Sequence, residues 1–290
     1  MLALVALIAV TAVWGVTFVQ VKDAVAIYPL FAFLALRFAI AGLTLAVPAA
    51  PRMRALGRQG ATAGAALGLL LAAGYGLQTA GLERTTVSST GFITGLYVVF
   101  TPLLALALFR VRAGRTVWLG VALATLGLAL LSGVGAGSLV GDLLVLAGSA
   151  AYSLQIVLME RYAPRFDPLA FTQTEMLAAC GGFAALAVAL GQVELPRGWT
   201  VWGALLVTGV FASALAYLVQ TWAQQRTSAT RTALAFTLEP VWTAIFGFWL
   251  AGDRLGALGG AGAALIMLGI VVAEPAAART LRRLIRPDDG

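Results

Sequence analysis

The chain contains no histidine, which removes the commonest metal ligand and the one side chain that titrates unaided near neutral pH. Any proton coupling must then use a carboxylate. Its one cysteine, Cys180, lies in an apolar run, so no intramolecular disulfide can form and a packing role accounts for it. Charge is scarce as well. Asp, Glu, Lys and Arg make up 11% of the 290 residues, whereas a soluble domain carries about 25%. A water-facing surface cannot be built from so few charges. Also missing are a Gly-x-x-x-x-Gly-Lys-Ser/Thr loop, a Gly-x-Ser-x-Gly elbow and paired carboxylates at helical spacing. ATP binding, enzymatic chemistry and a cofactor are therefore not expected.

What is present is apolar. Hydrophobic residues make up 61% of the chain, against roughly 45–50% in globular proteins. Spanning a bilayer takes about 20 mostly apolar residues, because unpaired backbone groups cannot be left in hydrocarbon. Ten such runs occur, near 2–21, 30–49, 61–81, 87–109, 116–133, 140–159, 168–190, 199–221, 230–251 and 256–274. Breakers fall between them: Pro29 before the second, Pro48 and Pro51 after it, Pro164 and Pro168 before the seventh, Pro196 before the eighth. The first run has no basic stretch before it and no clear cleavage site, so it reads as a retained helix. The fold class expected is all-α and integral to the membrane, in contact with lipid throughout.

The net charge of +7 is not a nucleic-acid footprint, because the positives sit in short clusters between apolar runs. Fourteen of the nineteen basic residues lie in the even-numbered loops and the C-terminal tail: Arg52, Arg54, Arg58, Arg110, Arg112, Arg115, Arg161, Arg165, Arg226, Arg231, Arg279, Arg282, Arg283 and Arg286. The odd-numbered loops hold Lys22, Arg84, Arg197 and Arg254, and Arg37 lies inside the second run. Positive loops face the cytoplasm, so both termini are expected there, in a bacterial inner membrane.

The two halves repeat each other. Tyr75, Gln78, Thr79, Arg84 and Thr85 recur 142 residues on as Tyr217, Gln220, Thr221, Arg226 and Thr227. Gly120, Leu123, Leu126 and Gly127 recur at the same offset, while Trp14 aligns with Tyr152, Pro29 with Pro168 and Pro102 with Pro240 at offsets near 138. Residues 1–135 and 140–275 then form two five-helix repeats of opposite orientation, followed by a basic tail over 276–290. Inverted repeats are the usual architecture of secondary transporters, with the ligand held near the midplane between them.

Several motifs extend this reading. They are Val13-Trp14-Gly15-Val16-Thr17-Phe18, Leu36-Arg37-Phe38 with Ala41-Gly42-Leu43, Leu238-Glu239-Pro240-Val241-Trp242, Leu250-Ala251-Gly252-Asp253-Arg254-Leu255, and Gly262-Ala263-Ala264-Leu265-Ile266 through Gly269-Ile270. In order and spacing the chain resembles the EamA-type carriers of the drug/metabolite transporter superfamily, over nearly its whole length. The acidic residue after the Gly near the end of the ninth run is Asp253, but the first half has Arg110-Val111-Arg112-Ala113-Gly114-Arg115 and no such acid. The resemblance implies export of a small organic solute, and the aromatic content points to the branch of YddG-like aromatic amino-acid exporters.

Polar residues inside apolar runs are costly and mark candidate ligand contacts. They comprise Trp14 and Thr17; Tyr75 and Gln78; Thr94 and Tyr97; Tyr152 and Gln155; Tyr217 and Gln220; and Phe236 with Trp242. Around one axis they would make an aromatic-walled cavity with a few hydrogen-bonding groups, suited to an amphipathic small-molecule substrate. Each also has a plain reading as helix-to-helix glue. Glu239, just before Pro240, is either a proton-coupling site or a packing group. Arg37 and Glu175, at offset 138 with opposite charge, read as structural or gating charges. Gly74, Gly76, Gly91, Gly95, Pro102 and Pro240 are hinge candidates, with static close packing as the alternative. An apolar or aromatic amino acid fits this set best, and a lipophilic cationic drug moved against protons stands second. Nothing in the sequence fixes an oligomeric state, and a monomer is compatible with all of it.

Overall fold

The computed structural model describes residues 2–85, 87–132, 138–246 and 256–273. All regular structure among them is helical: α1 Leu2–Val25, α2 Leu30–Leu82, α3 Val87–Gly95, α4 Tyr97–Phe109, α5 Arg115–Ser132, α6 Leu139–Tyr162, α7 Pro168–Ala189, α8 Gly198–Gly209, α9 Ala216–Gln224, α10 Ala229–Phe236, α11 Glu239–Phe246 and α12 Ala257–Ala273. The outer half of the ninth run, its Asp253 motif and the basic tail lie outside the described residues. Five described helical stretches are long and apolar enough to cross a membrane: Leu2–Val25, Leu30–Leu82, Leu139–Arg165, Pro168–Ala189 and Gly198–Gln224. Their outward faces carry bare aliphatic side chains such as Val47 (83% exposed) and Leu43 (73%). Such a belt would drive aggregation in water, but lipid solvates it without cost.

Three apolar runs depart from single uninterrupted spans. The loop expected between the second and third runs is helical instead, and α2 continues through Pro48 and Pro51. It turns only at Gly57, where φ is +64° and a side chain would be strained. The fourth run breaks at Leu96, between α3 and α4, and the ninth at Thr237 and Leu238, between α10 and α11. Pro240 therefore sits in the first turn of α11, where its missing N–H breaks no helical bond, and not in mid-helix as expected. The eighth run contains a π-helical turn, Val210–Leu215, joining α8 to α9.

The loops sort by parity. Tyr28 donates to the Glu194 carbonyl, the Phe31 amide to Gln192, and Thr85 to Asp142, which brings loops 1, 3, 5 and 7 to one end. At the other end Arg52 pairs with Asp167 at 3.4 Å, Gln225 donates to the carbonyls of Ala163 and Phe166, and Arg161 lies over the Phe109 ring. The arginine-rich even loops are thus gathered on one face.

Small residues let the helices meet closely. The most extensive contact is α2 on α7, and α5 on α12 follows. In the latter pair a Cβ on Gly120 would lie 2.5 Å from the Gly269 carbonyl oxygen, and one on Gly127 would lie 2.6 Å from that of Gly262. These crossings are reciprocal. Gly120 meets the residue equivalent to Gly127, and Gly127 meets the one equivalent to Gly120.

Candidate functional site

Six stretches converge at the centre of the bundle. Helix α1 contributes Trp14, Thr17 and Val21, one face at i, i+3 and i+7; α2 contributes Arg37 and, on its second leg, Tyr75, Gln78, Thr79 and Leu82. Thr94 and Tyr97 flank the break between α3 and α4, and Phe236 and Glu239 flank the break between α10 and α11. Tyr152, Gln155 and Ile156 come from α6, and Tyr217 and Gln220 from α9. Together they enclose a cavity of about 70 Å³. About 10–15 Å³ of space open to a water's centre holds one water, and ligand pockets usually run to about 300–1,000 Å³. The space seen here holds a functional group, not a whole metabolite.

The wall is aromatic. Trp14 stands edge-on to Phe236 at 4.8 Å and tilted to Tyr217 at 5.7 Å, while Tyr75 meets Tyr152 edge-to-face at 5.5 Å. Each such pair contributes about 0.5–1.5 kcal/mol beyond its burial. Tyr217 donates to the Tyr75 hydroxyl at 3.2 Å, so a residue touches its own counterpart 142 positions away.

Three polar groupings line this wall. The Arg37 guanidinium donates from Nε to Ser213 Oγ at 2.8 Å and from Nη2 to Tyr75 Oη at 3.1 Å, with the Tyr75 ring 4.5 Å from its carbon. Gln78 is bonded on both sides: its Nε2 donates to Thr94 Oγ1 at 2.8 Å, and its Oε1 accepts from Tyr152 at 3.1 Å. The third is an amide relay. Gln155 Nε2 donates to Glu175 Oε1, Gln220 Nε2 donates to Gln155 Oε1 and Gln224 Oε1, and Gln224 donates to the Ile156 carbonyl, all between 2.8 and 3.1 Å. The relay leaves Gln220 Oε1 buried with no hydrogen-bond partner among the described residues, as is Tyr97 Oη. Buried orphans of this kind normally belong to a ligand or to water.

The structure brings together eleven of the twelve proposed contact residues. Trp242 is the exception: it lies one turn beyond Glu239, away from the cavity lining, and stacks on Phe246 at 6.2 Å. Arg37, expected to be structural or gating, lines the cavity, whereas Glu175 reaches it only through Gln155. Among the hinge candidates, a Cβ on Gly74 would meet the Tyr152 ring at 2.6 Å and one on Gly95 would meet Leu128 at 2.8 Å, so both are close-packing positions. Gly76 has Phe183 at 3.4 Å and Gly91 has nothing within 4 Å. Gly95 also ends α3 at the break, while Pro102 lies inside α4. Val21, Leu82 and Ile156 carry no chemical signal and could have been found only by helical spacing from Trp14, Tyr75 and Tyr152.

A second cavity of about 660 Å³ opens at the odd-loop end, among Val25–Phe31, Ala80, Glu83, Arg84, Gln192 and Glu194. Burial, and then the Glu194 carboxylate, raises the Tyr28 phenol above its ordinary pKa there. Among the described residues no group of three Cys, Asp or Glu is placed to hold a metal ion.

Known proteins resemble this chain throughout. The profile of the EamA-like transporter family matches it twice, over residues 1–133 and 139–273. A protein of Archaeoglobus fulgidus described as an uncharacterized transporter is 31% identical over 274 residues, covering 93% of this chain and 83% of its own. The uncharacterized transporter YyaM of Bacillus subtilis is 28% identical over 207 residues, 67% of this chain and 66% of that one. One solved crystal structure of a protein superposes with a TM-score of 0.78 at 19% identity, covering 96% of this chain and 98% of that one.

Proposed function

The chain belongs to the EamA-like transporter family, and from that premise we propose that it exports a small amphipathic metabolite, most fittingly an apolar or aromatic amino acid, by alternating access. As a member of that family it is a multi-pass membrane transporter. We read it as ten spans, counting α2 as two around Gly57, in two inverted five-helix units over 1–135 and 140–275. A single family profile matching each half supports that reading, as do the self-meeting of Tyr75 with Tyr217 and the reciprocal Gly120–Gly269 and Gly127–Gly262 crossings. Both recur naturally when like halves are related by a two-fold axis. The gathering of the basic even loops on one face supports cytoplasmic termini, in the inner membrane of a bacterial-type cell.

The observation that carries the substrate class is the composition of the central wall. Six aromatic residues and the amides of Gln78, Gln155 and Gln220, drawn from both halves, close around one cavity. Aromatic faces with few, well-placed polar groups suit a molecule with an apolar body and a polar head. Because the cavity is small, such a solute needs the halves to part, and the helix breaks at Leu96 and at Thr237–Leu238 lie beside the residues that would move. A second reading, proton-coupled export of lipophilic cations, is favoured by the Glu239 carboxylate in the same lining. The guanidinium of Arg37 beside it disfavours a cation.

Flux into proteoliposomes decides between them, using labelled Phe, Trp, Leu and one lipophilic cation with and without a pH gradient. Saturable amino-acid flux that is lost in Gln220→Ala supports the first reading. Cation flux alone, driven by the gradient and abolished by Glu239→Gln, replaces it with the second.

A further inference from the structure

Arg37 is the one buried Lys or Arg among the described residues, at 3% exposure in the middle of the bundle. A guanidinium taken out of water loses a large solvation energy, and proteins normally offset that loss with a carboxylate and with acceptors for all its N–H groups. Here neither condition is fully met: Glu239 lines the same cavity and acts on Arg37 through its charge, but no carboxylate lies within ion-pair distance of the guanidinium among the described residues. Of its five N–H groups, one on Nε goes to Ser213 and one on Nη2 to Tyr75, both neutral hydroxyls. Among the described residues the ion pair found is Arg52–Asp167 on the surface, so the guanidinium has no salt-bridge partner there. Glu175, its counterpart of opposite charge, is bonded to Gln155 instead.

The arrangement holds the group in place all the same. The Tyr75 ring covers one face at 4.5 Å. Ser213 comes from the π-helical turn, whose wider geometry also leaves the Ala212 carbonyl to accept the Trp14 indole N–H at 2.8 Å. Nε and one Nη2 hydrogen are thereby engaged, which leaves Nη1 and the remaining Nη2 hydrogen without a hydrogen-bond partner among the described residues, on a side chain that lines the cavity. That pair of parallel N–H groups matches the two oxygens of a planar anion.

We infer that Arg37 is the anchor for a carboxylate on the ligand, held by the free edge of the fork, with the aromatic wall of Trp14, Tyr75 and Tyr217 receiving the apolar part. A phosphate is excluded by arithmetic of charge, since its second negative charge would face a single buried cation. A single carboxylate balances Arg37 one for one when Glu239, in the same lining, carries its proton. The space of about 70 Å³ accommodates such a group. The inference rests on the reading of this cavity as the place where the solute binds, and it narrows the solute to carboxylates, whether simple acids or zwitterions.

Calorimetric titration of the full chain in nanodiscs tests it, with 3-phenylpropionate, 3-phenylpropanamide, 2-phenylethylamine and L-phenylalanine as probes. The carboxylates are expected to bind about 10- to 100-fold more tightly than the amide, the range for a charged hydrogen bond inside a protein. Arg37→Gln should erase that preference, Arg37→Lys should reduce it because an ammonium lacks the fork, and Ser213→Ala should weaken only the carboxylates, by about 3- to 10-fold. Ser213→Ala and Arg37→Lys keep the test valid if Arg37→Gln does not fold. Amide binding as tight as that of the acid, a preference that survives every Arg37 variant, or no carboxylate binding at all would overturn the inference. Arg37-dependent binding of 3-phenylpropionate without any amino-acid flux would leave the anchor standing and remove the amino-acid reading alone.

Discussion

The two halves of the chain place equivalent residues around one cavity and then use them differently. Tyr75 and Tyr217 meet each other directly, yet Gln78 and Gln220, one turn further on, have opposite fates. Gln78 is bonded on both sides, to Thr94 and Tyr152, whereas Gln220 spends both donors on Gln155 and Gln224 and leaves its carbonyl oxygen unpartnered. Charge divides the same way. The first half brings Arg37 to the centre, and the second brings Glu239 to the lining and Glu175 just behind it. Tyr97 and Glu239, 142 positions apart beside the two helix breaks, are a phenol on one side and a carboxylate on the other. A duplicated backbone thus supplies a frame with two equivalent sides, and a handful of side chains gives that frame a polarity that can orient a ligand.

If the frame is symmetric, damage to equivalent backbone positions should cost the same. Gly127→Leu and Gly269→Leu, equivalent at the offset of 142, each force a side chain into a helix crossing where a Cβ already lies 2.6 Å from the opposing carbonyl. Each should lower thermal stability by about 3 kcal/mol or more, as overpacking in a tight contact does. A large difference between the two would show that the halves are not mechanically equivalent.

The polar positions should respond unequally. Gln78→Leu strips partners from Thr94 and Tyr152 and should cost about 1–3 kcal/mol of stability, the penalty for buried groups left unmade. Gln220→Leu removes a group that the protein itself only half uses, so its main effect should fall on solute flux, with the smaller loss in melting temperature. Equal stability losses would break the contrast. Glu175→Leu sharpens it further. Without the acceptor that orients Gln155, the relay loses its direction, and apparent substrate affinity should fall by about tenfold while the Gln78 side is untouched.

At the odd-loop end the effects are smaller. Tyr28→Phe removes a single hydrogen bond to Glu194, worth about 1 kcal/mol, and should leave flux unchanged. Because the fold raises the Tyr28 pKa, its neutral form is favoured in the native state. That contribution is present below the ordinary tyrosine pKa, about 10, and is lost as pH climbs through the native value. Wild type should therefore lose stability in alkaline melts relative to Tyr28→Phe. Smallest of all is Arg52→Ala at the opposite end, where a half-exposed pair with Asp167 at 3.4 Å should contribute under about 1 kcal/mol.

The cavity was legible to the extent that its chemistry contrasts with hydrocarbon. Tyr75, Gln78, Tyr152 and Gln220 stand out inside apolar runs at helical spacing, and the bundle brings them together. Val21, Leu82 and Ile156 look like any lipid-facing residue, and only packing reveals which way they face. Trp242, grouped with Phe236 by sequence, stands outside this lining, because the restart of the helix at Glu239 leaves it one turn further on. Pro48 and Pro51 read as breakers, yet the chain stays helical through them and turns where a single glycine permits a positive φ.

The sequence by itself determined the solvent, the all-helical apolar build, the sorting of charge between the two loop sets and the duplication, because each follows from composition and period along the chain. Only the tertiary structure decided which polar groups meet, where the helices break, and that Arg37 faces the cavity with no ion pair among the described residues while Glu175 is turned to an amide. Those outcomes depend on distances between residues up to 198 positions apart, as in the bond from Trp14 to the Ala212 carbonyl. In a bilayer, where apolar faces are nearly interchangeable, close packing and hydrogen bonding set such distances, and neither is written in local periodicity.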